Sequence, residues 1–343
     1  MKLPSTLERM MFGFIESQVL FVCNEIGIFD YLEENGPSKV DKISKDLDLP
    51  ASSLDRLLIC ATSLNLLEKN KDKYKVAAEF RPFLIRKSKY YCGARFSHYW
   101  KSTYKVFDHL VAAIQENKSQ WGKIEQNREI DDAFNSVYTS SIYSNETSTQ
   151  DFLATMWASG YEDSVDLCKK YSLKGYAKLV DVGGATGSFA IAALQENPHL
   201  AAEVMDYPLV KPYAEEAFQA YNVSNRACFH AGDIFKDTLP KADAYSIGYV
   251  LSDWPQELCL ALIKKVYENL PPNGLIIILE KFFNKDKTGP YLTAMLNLTM
   301  LLEMHGTHRA ASEYIGWLKD IGFTNYQTIY SSGEKHMIVA QKG

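Results

Sequence analysis

The segment YVLSDW (249–254) changes from apolar to polar at Ser252. Reactive side chains often follow a buried strand, because the carboxyl ends of parallel strands border the ligand crevice of an open sheet. Ser252 and Asp253 are therefore candidate catalytic residues. The alternative is a helix start, since Pro255 and Gln256 follow Asp253 in the pattern of a capped first turn.

A glycine-rich turn occurs in LVDVGGATGSFA (179–190), where Gly183, Gly184 and Gly187 stand between an apolar strand pattern and a helix pattern. Glycine permits positive φ and a close approach of the backbone to a ligand. The spacing differs from the dinucleotide fingerprint G-x-G-x-x-G. Asp181 precedes the glycines, and its carboxylate would repel a pyrophosphate but attract an ammonium. The turn therefore predicts a ligand that carries a cationic amino group and no phosphate.

Two further acids end the next two strand patterns. Asp206, in EVMDYP, is placed to accept hydrogen bonds from ribose hydroxyls. Asp233, in AGDIF, is placed to bond an exocyclic amine, with Ile234 and Phe235 against a base. Each acid alone is equally compatible with a helix cap. Acids at the ends of three successive strands together predict a site for adenosine joined to an amino acid, which is S-adenosylmethionine.

With these motifs the chain resembles the class I S-adenosylmethionine-dependent O-methyltransferases, in the branch that includes acetylserotonin, caffeate and bacterial polyketide O-methyltransferases. The resemblance covers nearly the whole chain and rests on FNSVY (134–138), DVGGATG, GDIF, VLSDW and GTHRAASEY. It implies S-adenosylmethionine as the methyl donor and S-adenosylhomocysteine as the product. The implied cofactor contacts are Asp181, Gly183, Gly184, Gly187, Asp206, Tyr207, Asp233, Ile234, Tyr138, Trp157 and Tyr249. By the same analogy, the residues facing the acceptor are Met295, Asn297, Thr299 and Glu303.

The chain departs from that family at two positions. The family has His-Asp-Trp after the fourth strand, with the histidine as general base, and Ser252 stands there in this chain. The glutamate that orients the histidine is replaced by His308. Serine has no useful basicity near neutral pH. Ionising a phenol of pKa ~10 at pH ~7 costs about 4 kcal/mol, so the missing base matters.

Three interpretations of the change remain open. In the first, His308 is the base, with His305 as a competitor for the role. In the second, the acceptor needs no strong base because it is a carboxylate, a thiol, or an acidic enol or phenol. In the third, the fold binds S-adenosylmethionine but catalyses a non-methylating reaction, as in pericyclase-like or decarboxylase-like members. A metal held by His305, His308 and His336 is a weaker idea, since H-x-x-H matches no firm metal motif. We predict no metal.

The order of elements predicts how these residues are positioned. From residue 177 onward, short apolar strands alternate with amphipathic helices, which predicts an α/β fold with a Rossmann-like, doubly wound parallel sheet. Residues 1–100 form the outline of a winged helix, which we assign to a mostly helical dimerisation domain. Residues 101–170 are assigned to a helical connector that contributes to the substrate pocket, and 171–343 to the catalytic domain that binds S-adenosylmethionine. The apolar segment 18–32 favours a homodimer.

Composition limits the function classes. The 343 residues carry a net charge of −5, and the winged-helix segment 52–66 is poor in Arg and Lys, so no nucleic-acid partner is predicted. No run of about 18 apolar residues occurs, so no membrane partner is predicted. The N-terminus lacks the apolar region of a signal peptide. The six cysteines form no C-x-x-C pair. We therefore expect a cytoplasmic enzyme that acts on a small molecule.

Overall fold

The computed structural model describes residues 2–88, 90–124, 142–143 and 145–343. The chain divides into two compact units, Met1–Lys105 and Val106–Gly343. The division into three domains at residues 100 and 170 stays a prediction.

The first unit is mostly helical and contains one small hairpin. Its elements are α1 (Ser5–Glu25), α2 (Ile28–Asn35), α3 (Val40–Asp46), α4 (Ala51–Ser63), β1 (Leu67–Asn70), β2 (Lys73–Val76), α5 (Arg81–Leu84) and α6 (Gly93–His98). Strands β1 and β2 are antiparallel, so α3, α4 and the hairpin follow one another as in a winged helix. Ile43, Leu58 and Tyr74 join these three pieces in one buried core.

Shorter helical segments follow. They are a π-helical turn (Tyr99–Thr103), α7 (Tyr104–Val106), a 3-10 turn (Phe107–His109), α8 (Leu110–Glu116) and a 3-10 turn (Trp121–Lys123). The long helix α9 (Glu146–Lys170) begins at Asn145, whose side chain accepts a hydrogen bond from Ser148 N at 3.0 Å. Among the described residues, no single helix has the length and apolar character needed to cross a bilayer, although the bent pair α1–α2 meets that criterion jointly.

The second unit contains a seven-stranded sheet. Its strands are β3 (Lys178–Val182), β4 (Ala201–Asp206), β5 (Ala227–Ala231), β6 (Ala244–Gly248), β7 (Leu275–Glu280), β8 (Phe323–Ile329) and β9 (His336–Lys342). The helices are α10 (Ser188–Glu196), α11 (Lys211–Ala220), α12 (Gln256–Asn269), α13 (Tyr291–Glu303) and α14 (Ala311–Ile321), with a 3-10 turn at Pro208–Val210. The strand order is β5-β4-β3-β6-β7-β9-β8. Strands β3 to β7 run parallel, and β9 runs antiparallel to both β7 and β8.

The sheet is covered on both faces, which explains its continuous apolar strands. All six residues of β7, LIIILE, are buried. Ile277 and Leu279 pack in the core that includes α9 and α10, whereas Ile276 and Ile278 pack in the core that includes α12 and α14. This layering confirms the predicted α/β fold with a mostly parallel sheet.

The strand order places a crevice at a defined edge of the sheet. From β3 the chain crosses to β4 on one side, whereas β6 pairs with β3 on the other side. Open α/β sheets bind ligands at such a switch point, outside the carboxyl ends of the strands. Asp181, Asp206 and the segment after Gly248 all lie at this edge.

Candidate functional site

A cavity opens at the carboxyl ends of β3, β4 and β6, and its volume together with its open mouth is about 840 Å³. It lies within the Val106–Gly343 unit. Nine of the residues singled out in the sequence line it: Asp181, Gly183, Gly184, Asp206, Tyr207, Ile234, Phe235, Tyr249 and Asp253. The structure therefore brings the glycine turn, two of the three acids and the YVLSDW segment together.

The glycine turn is shaped for close backbone approach. Gly183 has φ +68°, and a Cβ there would lie 2.8 Å from Val250 Cγ2. A Cβ on Gly184 would lie 2.6 Å from Asp181 Oδ2, closer than atoms of real side chains approach. Gly187, with φ +82°, begins α10 and does not line the cavity. Side chains are thus excluded where a ligand would meet the main chain.

Asp206 connects the end of β4 to the glycine turn. Its Oδ2 accepts a hydrogen bond from Ala185 N and its Oδ1 accepts one from Tyr207 N, both at 2.7 Å. Burial raises the pKa of Asp206 to about 6, although the two backbone hydrogen bonds lower it, and the charge of Asp181 adds to the rise. Each carboxylate oxygen has a second lone pair, so the two oxygens can accept hydrogen bonds from two ribose hydroxyls.

Asp181 is a buried carboxylate that faces a buried cation. Its Oδ1 accepts a hydrogen bond from Ser246 Oγ at 2.6 Å. Burial raises the pKa of Asp181, whereas the Ser246 hydrogen bond and the positive charge of Lys335 lower it. Lys335 also lines the cavity and is 3% exposed. Sequence analysis missed Lys335, since a lysine in the turn GEKH is typical of an exposed loop.

Only part of the predicted adenine site is present in the cavity wall. Ile234 and Phe235 line the cavity, but Asp233 does not. Asp233 Oδ1 accepts hydrogen bonds from Phe235 N at 2.9 Å and Lys236 N at 3.3 Å, and Oδ2 lies 3.5 Å from Lys236 Nζ. The carboxylate therefore closes its own turn, and its contact with adenine stays a prediction.

The aromatic wall differs from the one inferred by analogy. Tyr138 lies outside the described residues. Trp157 does not line the cavity; its ring stacks on Tyr161 at 4.6 Å. Phe152 and Met156, one helical turn apart on α9, line the cavity instead. Trp157 follows Met156 directly and so points about 100° away around the helix, which the sequence alone did not settle.

Ser252 and Asp253 lie beside a buried glutamate. Ser252 N donates to Glu280 Oε1 at 3.1 Å, and Ser252 Oγ donates to Asp253 Oδ1 at 3.5 Å. Helix α12 begins after Pro255 and has no side-chain cap. Asp253 lies two residues before the N-cap residue Pro255, and its Oδ1 accepts from Ser252 Oγ beside the cavity; a capping role for Asp253 stays a prediction.

Glu280 was also missed by sequence analysis. Burial raises its pKa to about 8, and the negative charge of Asp253 contributes to the rise. Its Oε2 has no hydrogen-bond partner among the described residues. An acid that ends the apolar run GLIIILE was the available signal. A carboxyl with this pKa is largely protonated at neutral pH, so it can donate a proton or a hydrogen bond.

His308 is buried and held by its neighbours. Its backbone N donates to Asn297 Oδ1 at 2.7 Å, and Thr307 Oγ1 donates to the same oxygen at 2.7 Å. Burial lowers the pKa of His308 to about 4, helped by the positive charges of Lys281 and Arg309. Its Nδ1 is buried with no partner in the described part of the chain. At neutral pH the imidazole is uncharged and able to accept a proton.

The His308 segment lies against Ser252. A Cβ on Gly306 would be only 1.9 Å from Ser252 O, so the two backbones touch. The other histidines are placed differently: His305 is exposed, and His336 Nδ1 accepts a hydrogen bond from Ser331 N at 3.3 Å. Within the described ranges, no group of three His, Cys, Asp or Glu side chains could hold a metal ion.

The four residues assigned to the acceptor do not line the cavity, and neither do the catalytic candidates Ser252 and His308. Met295 is 44% exposed, whereas Thr299 and Glu303 are buried. Thr299 Oγ1 donates to Met295 O at 3.3 Å, one turn back along α13. Asn297 fixes Thr307 and His308, so the structure gives it a positioning role. Acceptor contacts from this helix stay a prediction.

Comparison with known proteins agrees with this geometry. Residues 107–324 match the O-methyltransferase domain family, and residues 8–80 match the O-methyltransferase dimerisation domain. The acetylserotonin O-methyltransferase of Bos taurus is 29% identical over 346 residues, covering 98% of this chain and 97% of that protein. The N,N-dimethyltransferase OxyT of Streptomyces rimosus is 26% identical, covering 93% and 90%. The structure of human N-acetylserotonin methyltransferase with S-adenosylmethionine superposes with a TM-score of 0.88 at 27% identity, covering 99% and 97%.

Proposed function

The chain belongs to the family of S-adenosylmethionine-dependent O-methyltransferases, and from that premise we propose that it methylates an acidic hydroxyl group of a small aromatic or enolic acceptor. The observation that carries the proposal is the buried His308, in a segment that touches the backbone of Ser252, the residue at the base position. Bound S-adenosylmethionine supplies a sulfonium methyl group for in-line attack by the acceptor oxygen. The protein must therefore bind the acceptor in its ionised form or help to remove its proton.

The low pKa of His308 restricts the acceptor. A base of pKa about 4 is mismatched by about six pH units with a phenol of pKa ~10, which corresponds to roughly 8 kcal/mol for complete proton transfer. An acceptor that ionises near neutral pH avoids most of this cost. The positive charges of Lys281 and Arg309, which disfavour an imidazolium at His308, would favour an oxyanion bound beside it. His308 then accepts a hydrogen bond or a proton from an acceptor that is already acidic.

The cofactor is expected at the carboxyl ends of β3 and β4. Asp206 is proposed to accept the ribose hydroxyls, and the backbone of Gly183 and Gly184 is proposed to pass the methionine part. Ile234 and Phe235 supply an apolar wall suited to the adenine ring. The experiment is methyl transfer from methyl-labelled S-adenosylmethionine into a series of phenols and enols that differ in pKa.

Acceptors with pKa below about 7 are expected to react at least ~100-fold faster than unactivated phenols at pH 7.5, because the former need little help from a base. His308→Ala should reduce turnover of the most acidic acceptors only slightly. Equal rates across the series, abolished by His308→Ala, would contradict this proposal and assign His308 as a strong base. Cofactor binding with no labelled product across the series would favour a non-methylating reaction.

We also propose that the protein is a homodimer in the cytoplasm. The match to the dimerisation domain supports the dimer. Helix α1 exposes Met10, Met11 and Phe14, at 70%, 64% and 58%, and an apolar surface of this kind is typical of a subunit interface. Light scattering should give twice the 38.9 kDa chain mass. A monomer mass at micromolar concentration would contradict the dimer, and recovery in a membrane or secreted fraction would contradict the location.

A further inference from the structure

The pairing of β9 with β7 places Lys335 at the cavity, and no local sequence motif indicates this position. The β7–β9 register sets His336 opposite Glu280, which delivers Lys335 to the carboxyl end of β7. Lys335 N and Glu334 N donate to Asp163 Oδ2 at 2.8 and 2.9 Å. Helix α9 therefore fixes the backbone of this turn, and the lysine is held in the cavity wall.

The ammonium of Lys335 lies in a buried place with few acceptors. Its Nζ donates to Ser164 Oγ at 3.2 Å and lies 4.8 Å from the ring centre of Tyr249. In the described part of the chain, it forms no ion pair and no second hydrogen bond. An ammonium has three donors, and burying it without an acceptor for each is costly. Burial accordingly lowers the pKa of Lys335, while the charges of Asp181, Asp163 and Glu280 raise it.

The chain leaves room for this cation. A Cβ on Gly160 would lie 2.9 Å from Lys335 Nζ, so a larger residue there would displace the ammonium. A Cβ on Gly248, which lines the cavity, would lie 3.8 Å from the same nitrogen. The nitrogen is therefore at the cavity wall, with donors still available toward the cavity.

We infer that Lys335 and Asp181 form a subsite for an amino-acid zwitterion, in which Lys335 Nζ binds the α-carboxylate and Asp181 attracts the α-ammonium of the methionine part of S-adenosylmethionine. The inference rests on the proposed function. A buried cation and a buried anion that share one cavity wall without direct contact match a ligand carrying both charges. Lys335 is a binding residue in this assignment and takes no part in the methyl transfer itself.

The test compares two ligands by isothermal titration calorimetry on the full chain. The first is S-adenosylhomocysteine, and the second is its decarboxylated analogue, which keeps the adenosine, the thioether and the amine. The wild type is expected to bind S-adenosylhomocysteine roughly 10- to 100-fold more tightly, as for a charge-assisted hydrogen bond. In Lys335→Met the ratio of the two affinities should fall to about one. The control is Lys342→Met. Lys342 lies on β9 and its Nζ donates to Leu270 O, away from the cavity, so this variant should keep the wild-type ratio.

The outcomes separate this inference from the proposed function. An affinity ratio unchanged by Lys335→Met, or a wild type that binds both ligands equally, would overturn the subsite. Should Lys335→Met not fold, Lys335→Gln and the wild-type ratio decide the same question. A wild type that binds neither ligand at millimolar concentration would instead overturn cofactor binding, and with it the proposed function.

Discussion

Replacing His308 by glutamine should change how stability depends on pH. The pKa of His308 is about 4 in the folded protein because of burial and the charges of Lys281 and Arg309, against an ordinary value of 6.5. As the pH falls through 6.5, the unfolded chain takes up a proton at this position and the folded chain does not. Protonation therefore favours unfolding, so stability present above pH 6.5 is lost progressively as the pH falls toward 4.

The magnitude follows from the two pKa values. Each pH unit in this window corresponds to about 1.4 kcal/mol, which gives roughly 2 kcal/mol at pH 5 and about 3 kcal/mol once pH 4 is passed. Glutamine cannot ionise, so the stability of His308→Gln should not show this decrease at low pH. Any other effect of the substitution on stability is independent of pH. The free energy of unfolding of the wild type should thus fall by about 2 kcal/mol relative to His308→Gln between pH 7.5 and 5.

Urea unfolding followed by far-UV circular dichroism at several pH values measures the difference. His305→Gln, which removes an exposed imidazole three positions earlier, is the matched control and should follow the wild type throughout. A gap between wild type and His308→Gln that stays constant within ~0.5 kcal/mol over this range would refute the reasoning. It would mean that His308 is hydrated or charged in the folded protein, so that its pKa would no longer favour an acidic acceptor.

Three further outcomes are expected. Gly184→Ala places a Cβ 2.6 Å from Asp181 Oδ2 and should weaken S-adenosylhomocysteine binding by at least ~10-fold in calorimetry, whereas Gly316→Ala, in open space on α14, should not. S-adenosylhomocysteine affinity should fall as the pH drops through about 6, because protonated Asp206 accepts ribose hydroxyls less well; a flat profile from pH 7.5 to 5 would contradict its ribose role. Gly306→Ala places a Cβ 1.9 Å from a main-chain carbonyl oxygen and should lower the unfolding free energy by about 1–3 kcal/mol or more, measured by urea unfolding against Gly316→Ala.

The parts of the site that could be predicted from sequence are local in the chain. Asp206 and the glycine turn each directly follow a strand pattern, so the rule for parallel sheets was enough to place them at one edge. The fold class followed in the same way from the alternation of strands and helices. These inferences need only the order of elements, and that order is present in the sequence.

The parts that were missed depend on pairing between distant segments. Lys335 reaches the cavity because β9 pairs antiparallel with β7, and no local pattern encodes that register. The choice between Met156 and Trp157 depended on the rotation of α9, since both are apolar and adjacent. The contact between Gly306 and the Ser252 backbone likewise joins two segments that are far apart in the sequence.

The interior position of β9 has a consequence for shortened chains. Among the described residues, strand β8 pairs with β9 alone, and β9 also covers the edge of β7. A chain that stopped before His336 would leave an apolar strand edge open on β7 and β8 without a partner. Unpaired edges of this kind recruit strands from other molecules. We therefore expect such truncations to accumulate as aggregates rather than as a smaller folded protein.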